Sequence, residues 1–117
     1  MKGLVQGLSA GMTGGQRRSL RALAHHRKPV VMVGTNGVSE GVLHSLDEAL
    51  ERHELVKVKL QGGFEGEMSD AARLLSEGTG SALVQQIGGI LLFYRQRKKD
   101  SRIYFRAGKL VVVEDED

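Results

Sequence analysis

Residues 28–50, "KPVVMVGTNGVSEGVLHSLDEAL", change periodicity halfway, and that change decides the fold. Residues 30–33 (Val-Val-Met-Val) are an unbroken β-favouring run, as expected of a strand in the centre of a sheet. Further on, Ser39 suits an N-cap and Glu40 the positive first turn of a helix. Val42, Leu43, Leu46, Ala49 and Leu50 then recur at helical spacing to about His53. Between strand and helix stand Gly34, Thr35, Asn36 and Gly37. A tight turn needs only one glycine. Two, three positions apart, let the backbone take positive φ and let another backbone approach closely. The loop opens onto a helix N-terminus, where unpaired N–H groups and the helix dipole favour an anion such as phosphate. An ordinary Asn-Gly turn gives the same four residues, so the loop alone leaves both readings open.

On the N-terminal side, Thr13 and Gln16 have capping-box spacing, and Leu20, Leu23 and Ala24 form an apolar stripe. Arg17, Arg21 and His25 follow another face, which predicts a short helix over 14–26 with a basic side. Pro29 ends it and biases Lys28 toward extended geometry. On the C-terminal side, 55–60 alternates, with Val56, Val58 and Leu60 facing one way and Lys57 and Lys59 the other. Met68, Ala71, Ala72 and Leu75 mark a third helix, stopped where Gly78 or Gly80 can supply a left-handed cap. Two strands, 82–87 and 90–94, are joined by Gly88-Gly89, a strong hairpin signal. The order is α-β-α-β-α-β-β. Helical crossovers imply parallel pairs among the early strands and the final hairpin an antiparallel one. The expected fold class is α/β, a two-layer sandwich with a small mixed sheet.

Beyond Arg95 the chain turns polar and basic. Residues 103–113 (IYFRAGKLVVV) predict a further hairpin through Ala107-Gly108, or a strand exchanged with a neighbour. Residues 1–12 read as a flexible leader, 13–95 as the folded domain, and 96–117 as a basic extension with an acidic tail. A monomer is expected, with 103–113 as the segment through which a dimer would form.

The chain has 117 residues, enough for one domain and its core. Its 40% hydrophobic and 26% charged residues suit a globular protein rather than a disordered one. The absence of Cys excludes disulfides and thiolate metal sites and points to a reducing, cytoplasmic setting. Net charge is +3, but the last four residues (EDED) carry −4, so the rest of the chain is +7. The positive charge is clustered. One group is Arg17, Arg18, Arg21, Arg27 and Lys28; the other includes Arg95, Arg97, Lys98, Lys99 and Arg102. Such clustering suggests an anionic partner, nucleic acid above all, though a solvated basic surface gives the same counts. An acidic tail after a basic segment can also fold back and compete with an anionic ligand.

Other phosphate chemistry is not indicated. There is neither a G-x-x-x-x-G-K-[ST] loop nor a G-x-G-x-x-G after a strand. His25, His26, His44 and His53 lack the spacing of a helical metal pair, and Glu48, Glu51 and Glu54 read as a solvated helix face. No nucleophile and base assemble, so an enzyme, a cofactor and a metal are not expected. Phe93, Tyr94, Tyr104 and Phe105 lie near the basic segment and could stack on bases, although core packing accounts for Phe93 and at least one other.

Four stretches together resemble a known family: "TGGQRRSLRALAHHRKPVVMVG", "GTNGVSEGV", "LDEALERHELVKVKL" and "TGSALVQQIGGILLFYR", spanning 13–95. The resemblance is to the CRM domain (chloroplast RNA splicing and ribosome maturation), in its small stand-alone YhbY-like form. It implies a fold similar to the C-terminal domain of bacterial translation initiation factor three, and no catalytic activity. It also implies RNA binding through the GxxG loop and neighbouring basic surface, on precursors of the large ribosomal subunit. Carried onto this chain, the loop is Gly34, Thr35, Asn36 and Gly37. The surrounding basic positions are Arg17, Arg18, Arg21, Lys28, Lys57 and Lys59. Arg95 closes the matched region. Arg97, Lys98, Lys99 and Arg102 lie beyond it and are RNA candidates on charge alone. The competing expectation is a protein-interaction module whose basic face docks acidic proteins. A phosphoester enzyme using the loop as an anion hole lacks an acid/base pair.

Overall fold

The computed structural model describes residues 12–114, so most of the expected leader and the last three residues of the acidic tail lie outside the described residues. The capping box forms as its spacing predicts. Thr13 Oγ1 accepts from the Gln16 N–H, and Gln16 Oε1 accepts from the Thr13 N–H, both at 3.0 Å. It starts helix α1 (Gly14–Ala24), two residues shorter than predicted. Strand β1 (Val31–Val33) and helix α2 (Glu40–His53) follow, with Ser39 as the N-cap of α2. Then come β2 (Leu55–Leu60), α3 (Met68–Thr79), β3 (Ala82–Ile87) and β4 (Ile90–Tyr94). Gly80 is the left-handed cap of α3.

The sheet order is β1-β2-β4-β3. β1 and β2 pair in parallel across the α2 crossover, whereas β4 pairs antiparallel with both β2 and β3. Only one neighbouring parallel pair therefore forms, because β4 inserts between β2 and β3. Its sequence explains the central place. Leu91 and Phe93 enter the core on one face of the sheet, and Leu92 and Tyr94 the core on the other. A strand apolar on both sides is stable only where both sides are covered.

The first face carries α2 and α3. Leu46, Leu50 and Leu75 meet Val31, Val33, Val56, Val58, Leu91 and Phe93, most of them with no exposed surface. This is the expected two-layer sandwich. Part of the second face is covered as well, by α1 through Leu20 and Ala24 and by the hairpin β5 (Ile103–Arg106) and β6 (Lys109–Val112) through Ile103. The hairpin forms as one of the two expected alternatives, turning through Ala107 (φ 52°) and Gly108 (φ 79°). The cover reaches β3, β4 and only the first residue of β2, Leu55. Beyond Leu55, β2 has the half-buried Lys57 and the exposed Lys59 on that side, and β1 has the exposed Met32.

Glu54 ties the extension down. It follows α2 with φ 65°, a left-handed position that ordinarily favours Gly or Asn, and it is buried. Its carboxylate accepts from Arg97 N–H (2.8 Å), Ser101 Oγ (2.6 Å), Arg102 N–H (2.7 Å) and Ile103 N–H (3.1 Å). These bonds offset the backbone strain. Burial pushes the Glu54 pKa up, but the Ser101 hydroxyl and the three N–H groups outweigh it, and the net shift is downward. Nearby, Tyr94 Oη donates to the Ile103 carbonyl at 2.5 Å. Burial, then the Glu54 charge, pushes the Tyr94 pKa well above the ordinary phenol range.

Candidate nucleic-acid interface

Because β1 and β2 are parallel, the loops after them emerge at the same end of the sheet, and the β3–β4 turn joins them there. Three glycine-bearing connections meet: 34–37, 61–66 and Gly88-Gly89. Backbone bonds knit them together, with Gln61 N–H donating to the Val33 carbonyl and Leu60 N–H to the Gly89 carbonyl, both at 2.8 Å. Gly63 comes so close to Thr35 that a Cβ there would sit 2.7 Å from Thr35 Cγ2.

Within the GTNG loop, the Gly37 N–H closes a turn on the Gly34 carbonyl at 3.0 Å, and Gly37 has φ 65°. The two glycines differ in their reasons. Gly37 needs the left-handed conformation, with open space where its Cβ would be. Gly34 does not have positive φ, contrary to expectation; its missing Cβ leaves room for the Gln61 side chain, whose Oε1 would lie 3.3 Å away. The loop borders an open cavity of ≈ 450 Å³, with Met32, Thr35, Asn36, Ser39, Gln61 and Gly63 on its walls. Thr35 and Asn36 are exposed. Among the described residues, the N–H groups of Thr35, Asn36, Glu40 and Gly41 meet no acceptor. They are donors at the positive end of α2. Among the described residues, Glu40 is the acidic residue of that first turn.

The open part of the sheet's second face adjoins this cavity. Register places Met32 beside Lys59, Lys59 beside Ile90, and Ile90 beside Ile87, a row that crosses all four strands on one face. Val30 is 55% exposed, Met32 44% and Ile87 63%, so apolar surface lies open between the lysines. Lys59 is exposed; Lys57 is half-buried, with Nζ donating to the Arg27 carbonyl at 3.0 Å. Arg18 and Arg21 line an open face of α1 with His25 and His26. Arg27, after α1, donates to the carbonyl of Leu55 at 3.1 Å, at the start of β2. The α1 end and Lys28 therefore stand at the opposite end of β2 from the GTNG loop. The strand's six residues separate them by roughly 20 Å. The basic surface is a track along the sheet rather than a ring around the loop.

Three expected contact residues are half-buried and bonded to the protein itself. Arg17 Nη1 donates to the carbonyls of Leu83 (2.9 Å) and Val84 (3.3 Å). Val84 is the extra residue of a bulge in β3, and Arg17 satisfies acceptors that the interrupted ladder leaves over. Arg95 bridges Asp47 (2.7 Å) and Glu51 (3.1 Å) and donates to the Thr79 carbonyl (2.6 Å), joining α2 to α3. Arg97 donates to the carbonyls of Glu51, Arg52, Lys99 and Asp100. Lys98 and Lys99 are exposed. Of the four aromatics near the basic segment, Phe93 is fully buried, Tyr94 is buried, and Phe105 packs edge-on against Tyr94 at 6.1 Å. Tyr104 lies under the Arg106 guanidinium, 5.5 Å from its centroid.

Sequence reading missed Met32, Gln61 and Gly63 as walls of the loop cavity. The signal was available, since a βαβ unit brings the C-terminal ends of its two strands to one edge.

Comparison with known proteins agrees with this architecture. The sequence model of the CRS1 / YhbY (CRM) domain matches residues 12–95. The chain is 39% identical over 92 residues to the "Probable RNA-binding protein YqeI" of Bacillus subtilis, covering 79% of this chain and 96% of that one. It is 45% identical over 80 residues to an "RNA-binding protein" of Haemophilus influenzae, covering 68% and 81% of the two. The solution structure of the protein SAV1595 from Staphylococcus aureus superposes with a TM-score of 0.68 at 37% identity, over 81% of this chain and 99% of that one. The chain belongs to the CRS1 / YhbY (CRM) domain family.

Proposed function

We propose that this protein is a non-enzymatic, cytoplasmic RNA-binding protein that acts on ribosomal RNA in precursors of the large subunit. The observation that carries the binding reading is the meeting of three glycine turns and the α2 N-terminus beside an open, lysine-bearing sheet face. Relatives named as RNA-binding proteins support it. The N–H groups of Thr35, Asn36, Glu40 and Gly41 hold the sugar-phosphate chain. Lys59, Lys57, Lys28, Arg18 and Arg21 extend the attraction along the sheet, and counterion release makes binding salt-dependent. Met32, Val30 and Ile87 give unpaired bases an apolar floor. Arg17, Arg95 and Arg97 serve the fold and stand outside this contact set.

Ultraviolet crosslinking in cells, followed by sequencing of the attached RNA, tests the reading. Enrichment of large-subunit rRNA is expected. Reads spread over messenger and transfer RNA would overturn the ribosomal assignment, and association that survives nuclease would favour an acidic protein partner.

A further inference from the structure

Among the described residues, no charged side chain lines the cavity beside the GTNG loop. Its apolar walls are Met32 and Val42; its polar groups are the hydroxyls of Thr35 and Ser39 and the amides of Asn36 and Gln61. Phosphate oxygens call for cationic donors, and the lysines stand outside, with Lys59 beside Met32 in the sheet. An apolar floor under neutral amides suits a different part of an RNA chain. A nucleobase is flat, uncharged and polar only along its edge. At ≈ 450 Å³ the cavity falls in the range of small-molecule sites, roughly 300–1,000 Å³, and it is open to a single strand.

Gln61 is placed to read the edge of such a base. Its N–H donates to the Val33 carbonyl at 2.8 Å, which pins its backbone at the end of β1. The residue is exposed, and among the described residues its side-chain amide makes no hydrogen bond. Gly34 gives that side chain its room. The φ of Gly34 is not positive, so no backbone conformation calls for a glycine there, yet a Cβ would stand 3.3 Å from Gln61 Oε1, closer than ordinary contact. The first glycine of the loop thus serves the glutamine, and Gly37 serves the turn. An amide sets one donor beside one acceptor, and adenine matches that pair on two edges, N6 with N7 and N6 with N1. A pyrimidine matches it on one edge and offers Met32 a smaller face. Guanine presents two acceptors on its N7 edge, which suit a cation instead.

We propose that the cavity beside the GTNG loop takes one unpaired base, adenine in preference to the others, and that Gln61 is the residue that sets this specificity. The proposal deepens the RNA-binding reading and rests on it. The sugar-phosphate chain stays on the N–H groups of Thr35 and Asn36, Met32 supports the face of the base, and Gln61 pairs with its edge. The protein then favours adenine-bearing single strands and loops over duplex, where the base edges are already engaged.

The test uses the full chain and its Gln61→Ala variant, with fluorescence anisotropy at several salt concentrations. The probes are a labelled oligouridylate and the same oligomer carrying one central adenine, cytosine or guanine. The parent chain is expected to bind the adenine-bearing oligomer roughly tenfold more tightly than plain oligouridylate. Gln61→Ala is expected to remove that preference and to leave affinity for oligouridylate unchanged. The salt slope should also be unchanged, because no charge is lost. A thermal melt should show equal stability, since the side chain is exposed and its backbone anchor is kept. Equal binding of all four oligomers by the parent chain overturns the base site alone. A preference for cytosine or guanine overturns the assignment to adenine, and an adenine preference undiminished in Gln61→Ala overturns the role of Gln61. Failure of all four to bind at low salt overturns the RNA-binding reading itself, and this proposal with it.

Discussion

At the scale of single residues, Glu54 was the hardest to read and has the largest structural role. In the sequence it continues the Glu48, Glu51 pattern of a solvated helix face. Nothing local signals that the chain returns 43 to 49 residues later to place Ser101 and three N–H groups around it. Glu54→Gln keeps the shape but loses the charge and puts an amide NH2 where an oxygen accepted two donors. It is expected to cost about 1–3 kcal/mol, seen as a lower midpoint in thermal circular dichroism. The pH dependence follows from the lowered pKa. The stabilisation is present above the ordinary carboxylate range and is lost as pH falls below about 4.5 toward the folded value. Glu54→Gln should flatten that acid limb. Gly37 was half legible: its Asn-Gly context predicted positive φ, but the neighbour of Gly34 was visible only once the topology was known.

At the scale of elements, helices and strands followed their periodicity, whereas the partners of the arginines were not legible. A helical repeat shows that Arg17 and Arg21 share a side of α1, but not that a β3 bulge lies under one of them. Arg95 likewise ends a strand in a basic run, yet the adjacent turns of α2 supply Asp47 and Glu51. Two kinds of cation are therefore expected to respond differently. Lys28→Gln and Lys59→Gln should each lower the salt slope of RNA binding by about 0.7 and leave thermal stability unchanged. Arg95→Ala should do the reverse, costing about 2 kcal/mol of stability through lost charged hydrogen bonds, with the slope intact. Filter binding at several salt concentrations beside thermal melts separates them, and an Arg95 slope effect equal to that of the lysines would put Arg95 back on the interface.

At the scale of the whole molecule, the α/β class and the basic character were legible because both are sums over many residues. The strand order was not, since a hairpin signal does not say which of its strands takes the centre; the two-sided apolar pattern of β4 does. That placement leaves Met32 of β1 and Lys59 of β2 exposed on one face and gathers three glycine turns at one edge, the arrangement on which the functional account depends. The most direct test is Thr35→Asp with Asn36→Asp. Both side chains are exposed, and neither change disturbs Gly37 or the fit of Gly63 against Thr35 beyond a swap of side chain. The measurement is the dissociation constant for single-stranded ribosomal RNA, taken with a thermal melt. The account predicts at least a tenfold weaker complex with an unchanged melting temperature; equal affinity in an equally stable protein would contradict it.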